Sequence, residues 1–206
     1  TFAIATIHEA ITLREAGATE EIILLGLAPD MYAEAIVKYD ITPVVCDSSN
    51  AAAIDKAAAA AGKLVRGLIA VDTGMGRIGY LADEAEAAAE DVKKIQALEN
   101  FKIKGMFSHM STADAYDKTY SHQQEEKYNK FYQTLTAAGI DIPFKTLANS
   151  ASIMELPEVY FDACRPGIIL YGCYPSDEVD KNQLAIKPVM SVKANIIHLK
   201  DVPENF

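Results

Sequence analysis

The chain lacks tryptophan altogether, and its 206 residues hold only three cysteines. Cys46, Cys164 and Cys173 are odd in number and have no metal-ligand spacing, which excludes a disulfide framework and a zinc ribbon and leaves reduced, partly buried thiols. Basic residues are outnumbered 19 to 29, for a net charge of −10. That balance speaks against nucleic acid and anionic membranes as partners. No apolar run approaches the ~18–20 residues of a membrane span. The first residues show no signal-peptide pattern, so the expected location is the cytoplasm. A nucleophile elbow is missing too, and with it the case for a Ser/His/Asp triad.

Half of the residues are hydrophobic, enough for one large domain, or one domain and a piece of another. Thr1 opens in the middle of an apolar run and a new strand-like stretch lies near Phe206, so a longer parent chain is expected. Apolar runs recur at residues 2–6, 21–26, 42–47, 65–72, 101–109, 144–150 and 161–172. Between them lie helical patterns at 7–16, 30–37, 49–62, 83–98, 121–138 and 152–156. Ser48 or Ser49 can cap the third helix. Most strands are continuously apolar, the mark of a parallel sheet covered on both faces. Seven such units point to a (β/α)8 TIM-type barrel whose first strand lies before Thr1; a doubly wound open sheet is the competing architecture. From Val189 to Ile197 the helical signal is absent. That stretch reads as the start of a β-rich domain, giving a division into residues 1–185 and 186–206.

The most informative segment is Asp72-Thr73-Gly74-Met75-Gly76-Arg77-Ile78-Gly79. Three glycines in six residues make a turn that few side chains could follow, and Arg77 in that turn can grip an anion. Gly74, Gly76 and Gly79 also fit G-x-G-x-x-G, the dinucleotide fingerprint. That motif calls for an acid at the end of the next strand, where this chain has Ser108 and His109. In barrels, chemistry sits at the C-terminal strand ends and phosphate binds near the last two strands. Asn149-Ser150-Ala151-Ser152 and Arg165-Pro166-Gly167-Ile168 are the corresponding candidate cradles. For Asn149 and Ser150 an ordinary helix cap is the favoured alternative. Arg165 ends an apolar run before a proline, which weakens a surface ion pair as its explanation. His8, His122 and His198 receive no role, and no metal site is expected.

Four segments occur in a fixed order: Val71-Asp72-Thr73-Gly74-Met75-Gly76-Arg77-Ile78-Gly79, Phe107-Ser108-His109, Ala148-Asn149-Ser150 and Arg165-Pro166-Gly167-Ile168. Together they resemble bacterial alanine racemase, a family of fold-type III enzymes that use pyridoxal 5′-phosphate. The resemblance implies a homodimer with an N-terminal barrel and a C-terminal β domain. It also implies interconversion of L- and D-alanine by two bases, supplying D-alanine for peptidoglycan. Ser150, the backbone of Gly167 and Ile168, and Asn149 beside them would hold the cofactor phosphate. Arg165 would face the pyridine nitrogen, with His109 beside the ring. Arg77 would reach the phenolic oxygen and the substrate carboxylate.

Departures accompany the likeness. The family's cofactor-bonding lysine has no match in this segment; Lys193-Ala194-Asn195 imitates its motif but lies beyond the barrel. The second base, a tyrosine of the partner's β domain, has no match either. Ala70 stands where many relatives carry a carbamylated lysine, so an anion, water or acid is expected between Ala70 and Arg77. Arg165→Glu is expected to change the cofactor more than the fold. A racemase of serine or another amino acid, a non-catalytic cofactor-binding barrel and an NAD-dependent oxidoreductase stay open as alternatives.

Overall fold

The computed structural model describes residues 1–205. Six strands line up in sequence order: β1 (Phe2–Ile4), β2 (Ile22–Leu24), β3 (Thr42–Val45), β4 (Val65–Asp72), β6 (Phe101–Phe107) and β7 (Lys145–Thr146). A short β5 (Tyr80–Leu81) pairs with the end of β4. Every pairing is parallel. Strands added only in sequence order are the pattern of a barrel wall, since a doubly wound sheet reverses its order at a switch point.

Helices α1 (Ile7–Glu15), α2 (Ala33–Lys38), α3 (Ser48–Ala60), α4 (Ala85–Gln96), α5 (Thr119–Ala137) and α6 (Ser150–Glu155) fill the crossovers. Local chemistry sets their starts. Thr6 and Glu9 form a capping box at α1, with Thr6 N–H donating to Glu9 Oε2 at 2.8 Å. Asp47, rather than Ser48 or Ser49, caps α3 by accepting from Asn50 N–H at 2.8 Å. Asn149 caps α6.

Alternation along the strands sorts their side chains into two apolar clusters. Ile23, Val44, Leu68, Ala70 and Phe107 form one, and their neighbours Leu24, Val45, Ile69, Val71 and Met106 join the larger one with the helices. A period of two puts successive residues on opposite faces of the wall. Where β4 meets β6 the register shifts between Gly67 and Leu68, because Leu68 pairs with Gly105 and Lys104 is skipped. Gly105 is required at this bulge, since a Cβ there would run into the backbone of Phe144. Lys104 forms an ion pair with Glu21.

Two elements differ from the sequence-based expectation. Residues 161–172 form no strand. They run beside β7 with two backbone bonds, Asp162 N–H to Lys145 C=O at 3.1 Å and Arg165 N–H to Ala148 C=O at 3.0 Å, and end in a 3-10 turn, Ile168–Tyr171. Phe161 has φ +46° and Pro166 has no N–H to donate, so a continuous ladder is broken at two points. Residues 189–197 form no strand either, and Val189, Met190, Val192, Ile196 and Ile197 are exposed. Strands need a paired neighbour to persist, and among the described residues no strand pairs with this stretch, which bonds to the rest through Val189 N–H to Tyr171 C=O at 3.2 Å.

One polar junction fastens the glycine loop to the helices. The Asp91 carboxylate on α4 accepts from Ser48 N–H (2.8 Å), Ser48 Oγ (2.7 Å), Tyr80 OH (2.8 Å) and Lys94 Nζ (3.0 Å). Burial pushes this carboxyl up, but those donors together hold it well below the usual carboxylate range. A depressed folded pKa adds stability that is complete above the unfolded value of about 3.9 and lost as pH falls through the folded value. Asp91→Ala is expected to cost about 2–3 kcal/mol at neutral pH, because four donors from Ser48, Tyr80 and Lys94 lose their acceptor. Urea midpoints at pH 7 and pH 3 check the linkage: Asp91→Asn should lose less stability on acidification than the parent does.

Candidate active site at the strand ends

The loop between β4 and β5 is built around Asp72. Its Oδ1 accepts from Gly74 N–H at 2.9 Å and Gly76 N–H at 3.0 Å. Gly74, Gly76 and Gly79 all have positive φ. Gly79 has φ +115°, and a Cβ there would lie 2.8 Å from Ala70 C and Val71 N, so only glycine lets the chain turn back against β4. This arrangement removes the dinucleotide reading. The amides that would hold a pyrophosphate are already given to a carboxylate, and the loop leads into β5 instead of a helix.

Arg77 leaves this loop exposed, with no hydrogen-bond or ion-pair partner among the described residues. An anion, a water or an acid is the expected partner for it on the Ala70 side. Ala70 is fully buried among Ile23, Val44, Leu68 and Phe107, with Ile78 packed against them. That apolar packing adds no donor of its own, so such a partner would be held by the Arg77 guanidinium.

Arg165 is the centre of the site. Its Nη1 donates to Thr146 Oγ1 at 2.6 Å, and its Nη2 donates to Ser108 C=O at 2.6 Å and Leu147 C=O at 3.0 Å. The guanidinium carbon lies 5.0 Å from the centre of the Phe107 ring. Burial pushes its pKa down to about 10, with the nearby Arg77 charge acting the same way, so it remains a cation at neutral pH. Among the described residues no carboxylate pairs with it, and its buried Nε has no partner. His109 Nδ1 lies 3.4 Å from Nη2. Burial, then Arg165 and Arg77, push the His109 pKa down to about 4. The imidazole is therefore neutral at pH 7, with Nδ1 as the acceptor facing the guanidinium and the proton on Nε2.

Ser150, at the first turn of α6, accepts from Gly167 N–H through its Oγ at 2.9 Å. Gly167 and Ser150 thus meet as expected, although this N–H is not free. Asn149 is the helix cap: its Oδ1 accepts from Ser152 N–H at 3.1 Å and its Nδ2 donates to Met110 C=O at 3.2 Å. Ile168 is half exposed beside them. A cavity of about 400 Å³ opens between β1 and residues 163–171, with Arg165, Gly167, Thr146 and Leu68 on its wall. Arg77 and His109 line a separate cleft with Asp72, Met75 and Ser108.

Residues 1–175 match the family model described as "Alanine racemase, N-terminal domain". The chain belongs to the alanine racemase family. Alanine racemase of Clostridium novyi (strain NT) is 47% identical over 201 residues, covering 98% of this chain and 51% of that protein. The Methanococcus maripaludis alanine racemase is 42% identical over 203 residues, covering 98% and 54%. The solved alanine racemase of Clostridium difficile 630 superposes with TM-score 0.87 at 36% identity, over 90% of this chain and 48% of that one. The chain therefore spans about half the length of the curated relatives it matches, and its wall is part of the family's N-terminal TIM-type barrel.

Sequence reasoning missed several residues that shape the site. Thr146 and the Ser108 carbonyl hold Arg165, and Gln124 of α5 joins two strand-end loops. Thr146 and Gln124 lie in no motif, Ser108 acts through its carbonyl rather than its side chain, and each acts across 13 or more residues of sequence. His122 also comes within 3.7 Å of Glu125 and Glu158. That cluster is on the outer face of α5, and solvated charges of this kind are ordinary. Burial pushes the Cys46 thiol up to about 11, as suits an unreactive thiol.

Proposed function

We propose that the complete protein is a pyridoxal 5′-phosphate-dependent alanine racemase, a cytoplasmic homodimer that supplies D-alanine for peptidoglycan. The observation that carries this reading is Arg165, a half-buried cation at the ends of β6 and β7 whose buried Nε lacks an acceptor. An unprotonated pyridine nitrogen is an acceptor of that kind, and beside a permanent cation it stays unprotonated. The donor set fits the rest of the group. The Ser150 hydroxyl and the first turn of α6 suit a phosphate, while Arg77, unpartnered among the described residues, suits a carboxylate. Relatives support a small amino acid as substrate: all those above are named alanine racemase, one Clostridium difficile structure is a complex with cycloserine, and the Bacillus anthracis enzyme was solved with bound L-Ala-P.

Pyridoxal phosphate, when bound, supplies the electron withdrawal that makes the α C–H of an amino acid acidic. The chain's own residues do the rest of the positioning. Arg165 and neutral His109 set the charge beside the ring, and neither offers it a proton from an acid. Arg77 orients the carboxylate. The lysine and tyrosine that would exchange the α proton have no counterpart in this segment and are assigned to the flanking parts of the complete protein.

The test is direct. The purified complete protein should take up pyridoxal phosphate with an absorption band near the visible edge and interconvert D- and L-alanine. Serine, assayed alongside, should turn over more slowly. No interconversion of alanine at saturating cofactor would overturn the reading, and faster turnover of serine would move it to that substrate.

A further inference from the structure

Gln124 lies on α5, is fully buried and spends its whole carboxamide on two loops. Its Nε2 donates to Thr73 Oγ1 at 3.1 Å and to the His109 carbonyl at 3.1 Å. Its Oε1 accepts from Ser111 N–H at 2.9 Å and Ser111 Oγ at 3.1 Å. Thr73 opens the loop that carries Arg77, while His109 and Ser111 belong to the loop after β6. Thr73 Oγ1 and Ser108 Oγ, both buried, are themselves 2.9 Å apart. One turn earlier on α5, Tyr120 OH donates to Gly74 C=O at 2.8 Å. The orientation of the amide is settled by its partners: a carbonyl at His109 requires a donor, and an N–H at Ser111 requires an acceptor. A flipped amide would face both with the wrong group.

We propose that Gln124 is a positioning residue that sets the spacing between the Arg77 loop and the His109 loop. No side chain touching it belongs to the reading of cofactor or substrate contacts given above, so it acts through the two loops. The Arg77 side chain has no partner among the described residues, and its place depends on a loop held at Asp72, Thr73, Gly74 and Tyr80. Buried, fully satisfied polar networks fix one geometry, and losing one member leaves the others unpaired. A displacement of about 1 Å in such a loop can cost a reaction up to about 100-fold. The consequence for turnover rests on the racemase reading; the consequence for the loops does not.

Two substitutions test it in the complete protein. Gln124→Leu removes both halves of the amide. Gln124→Glu keeps the acceptor half and loses the donor half while ionised; burial raises the pKa of such a carboxyl, and once protonated its O–H can again donate to the His109 carbonyl. Both variants should exchange the backbone amides of residues 73–79 and 108–111 faster than the parent. In Gln124→Leu the KM for alanine should rise about tenfold or more, with a smaller fall in kcat, because Arg77 is displaced before the chemistry begins. In Gln124→Glu the KM should fall back toward the parent value as pH is lowered. A residue that merely fills the core would lower the melting temperature without moving the loop exchange, the KM or its pH dependence, and that result would overturn the proposal. Should Gln124→Leu fail to fold, the pH-dependent exchange of Gln124→Glu decides alone. If the parent does not racemise alanine, the racemase reading fails, and the exchange of these two loops still decides the role of Gln124.

Discussion

Purified alone, the 206-residue segment is expected to racemise alanine at least about 100-fold more slowly than the complete protein. Positioned acids and bases typically contribute about 10²–10⁴-fold each. The racemase proposed above would use one on each face of the α carbon, whereas the strand-end residues of this segment supply a cation, a neutral imidazole and a hydroxyl. Arg165, with a pKa of about 10, holds its proton at neutral pH. His109, with a pKa of about 4, carries a single proton there and faces Arg165. Neither is poised to abstract an α proton at pH 7. The assay compares the segment with the complete protein at equal cofactor, following loss of the pure enantiomer. Turnover by the segment within tenfold of the complete protein would show that a base has been overlooked among these residues.

The second large effect is expected at Arg165, and here the structure changes the outcome read from the motifs. Arg165→Glu was expected to alter the cofactor more than the fold. The guanidinium, however, joins the ends of β6 and β7 through Ser108, Thr146 and Leu147. A carboxylate at that place would face two carbonyl oxygens, leaving them without donors and itself without a counter-charge. Breaking a buried charge arrangement from one side costs about 3–5 kcal/mol, which in a protein of this size lowers the melting temperature by roughly 10 °C or more. Arg165→Lys keeps the charge but loses the planar fork, and its loss should be smaller. Thermal unfolding followed by circular dichroism, together with cofactor titration, separates the two effects. A Glu variant that melts within 2–3 °C of the parent while binding cofactor normally would remove Arg165 from the centre of the site.

Other expectations from the sequence fared according to how local their causes were. Capping residues, glycine turns and the spacing of apolar runs act within a few residues. They marked all six helices and six of the eight expected strands to within a turn or so of where they lie. The seventh, at residues 161–172, failed because an apolar run satisfies hydrophobic patterning while Pro166 and the positive φ of Phe161 break its ladder. Around Ala70 the motifs name only a missing lysine, whereas the structure adds an apolar surround in which Phe107 and Ile78 take part.

The sequence by itself determined the parallel βα order, the glycine loop, the absence of a membrane-spanning helix and the set of residues that carry family membership. These follow from periodicity, backbone sterics and motif order, which need no knowledge of what lies across the fold. Only the tertiary structure decided that Asp72 occupies the glycine-loop amides, that His109 is neutral, that Arg165 has one unsatisfied nitrogen, and that Gln124 ties two loops together. Each of those depends on burial and on hydrogen bonds between segments far apart in the chain. Desolvation and partner geometry exist only once the strand ends have been brought side by side.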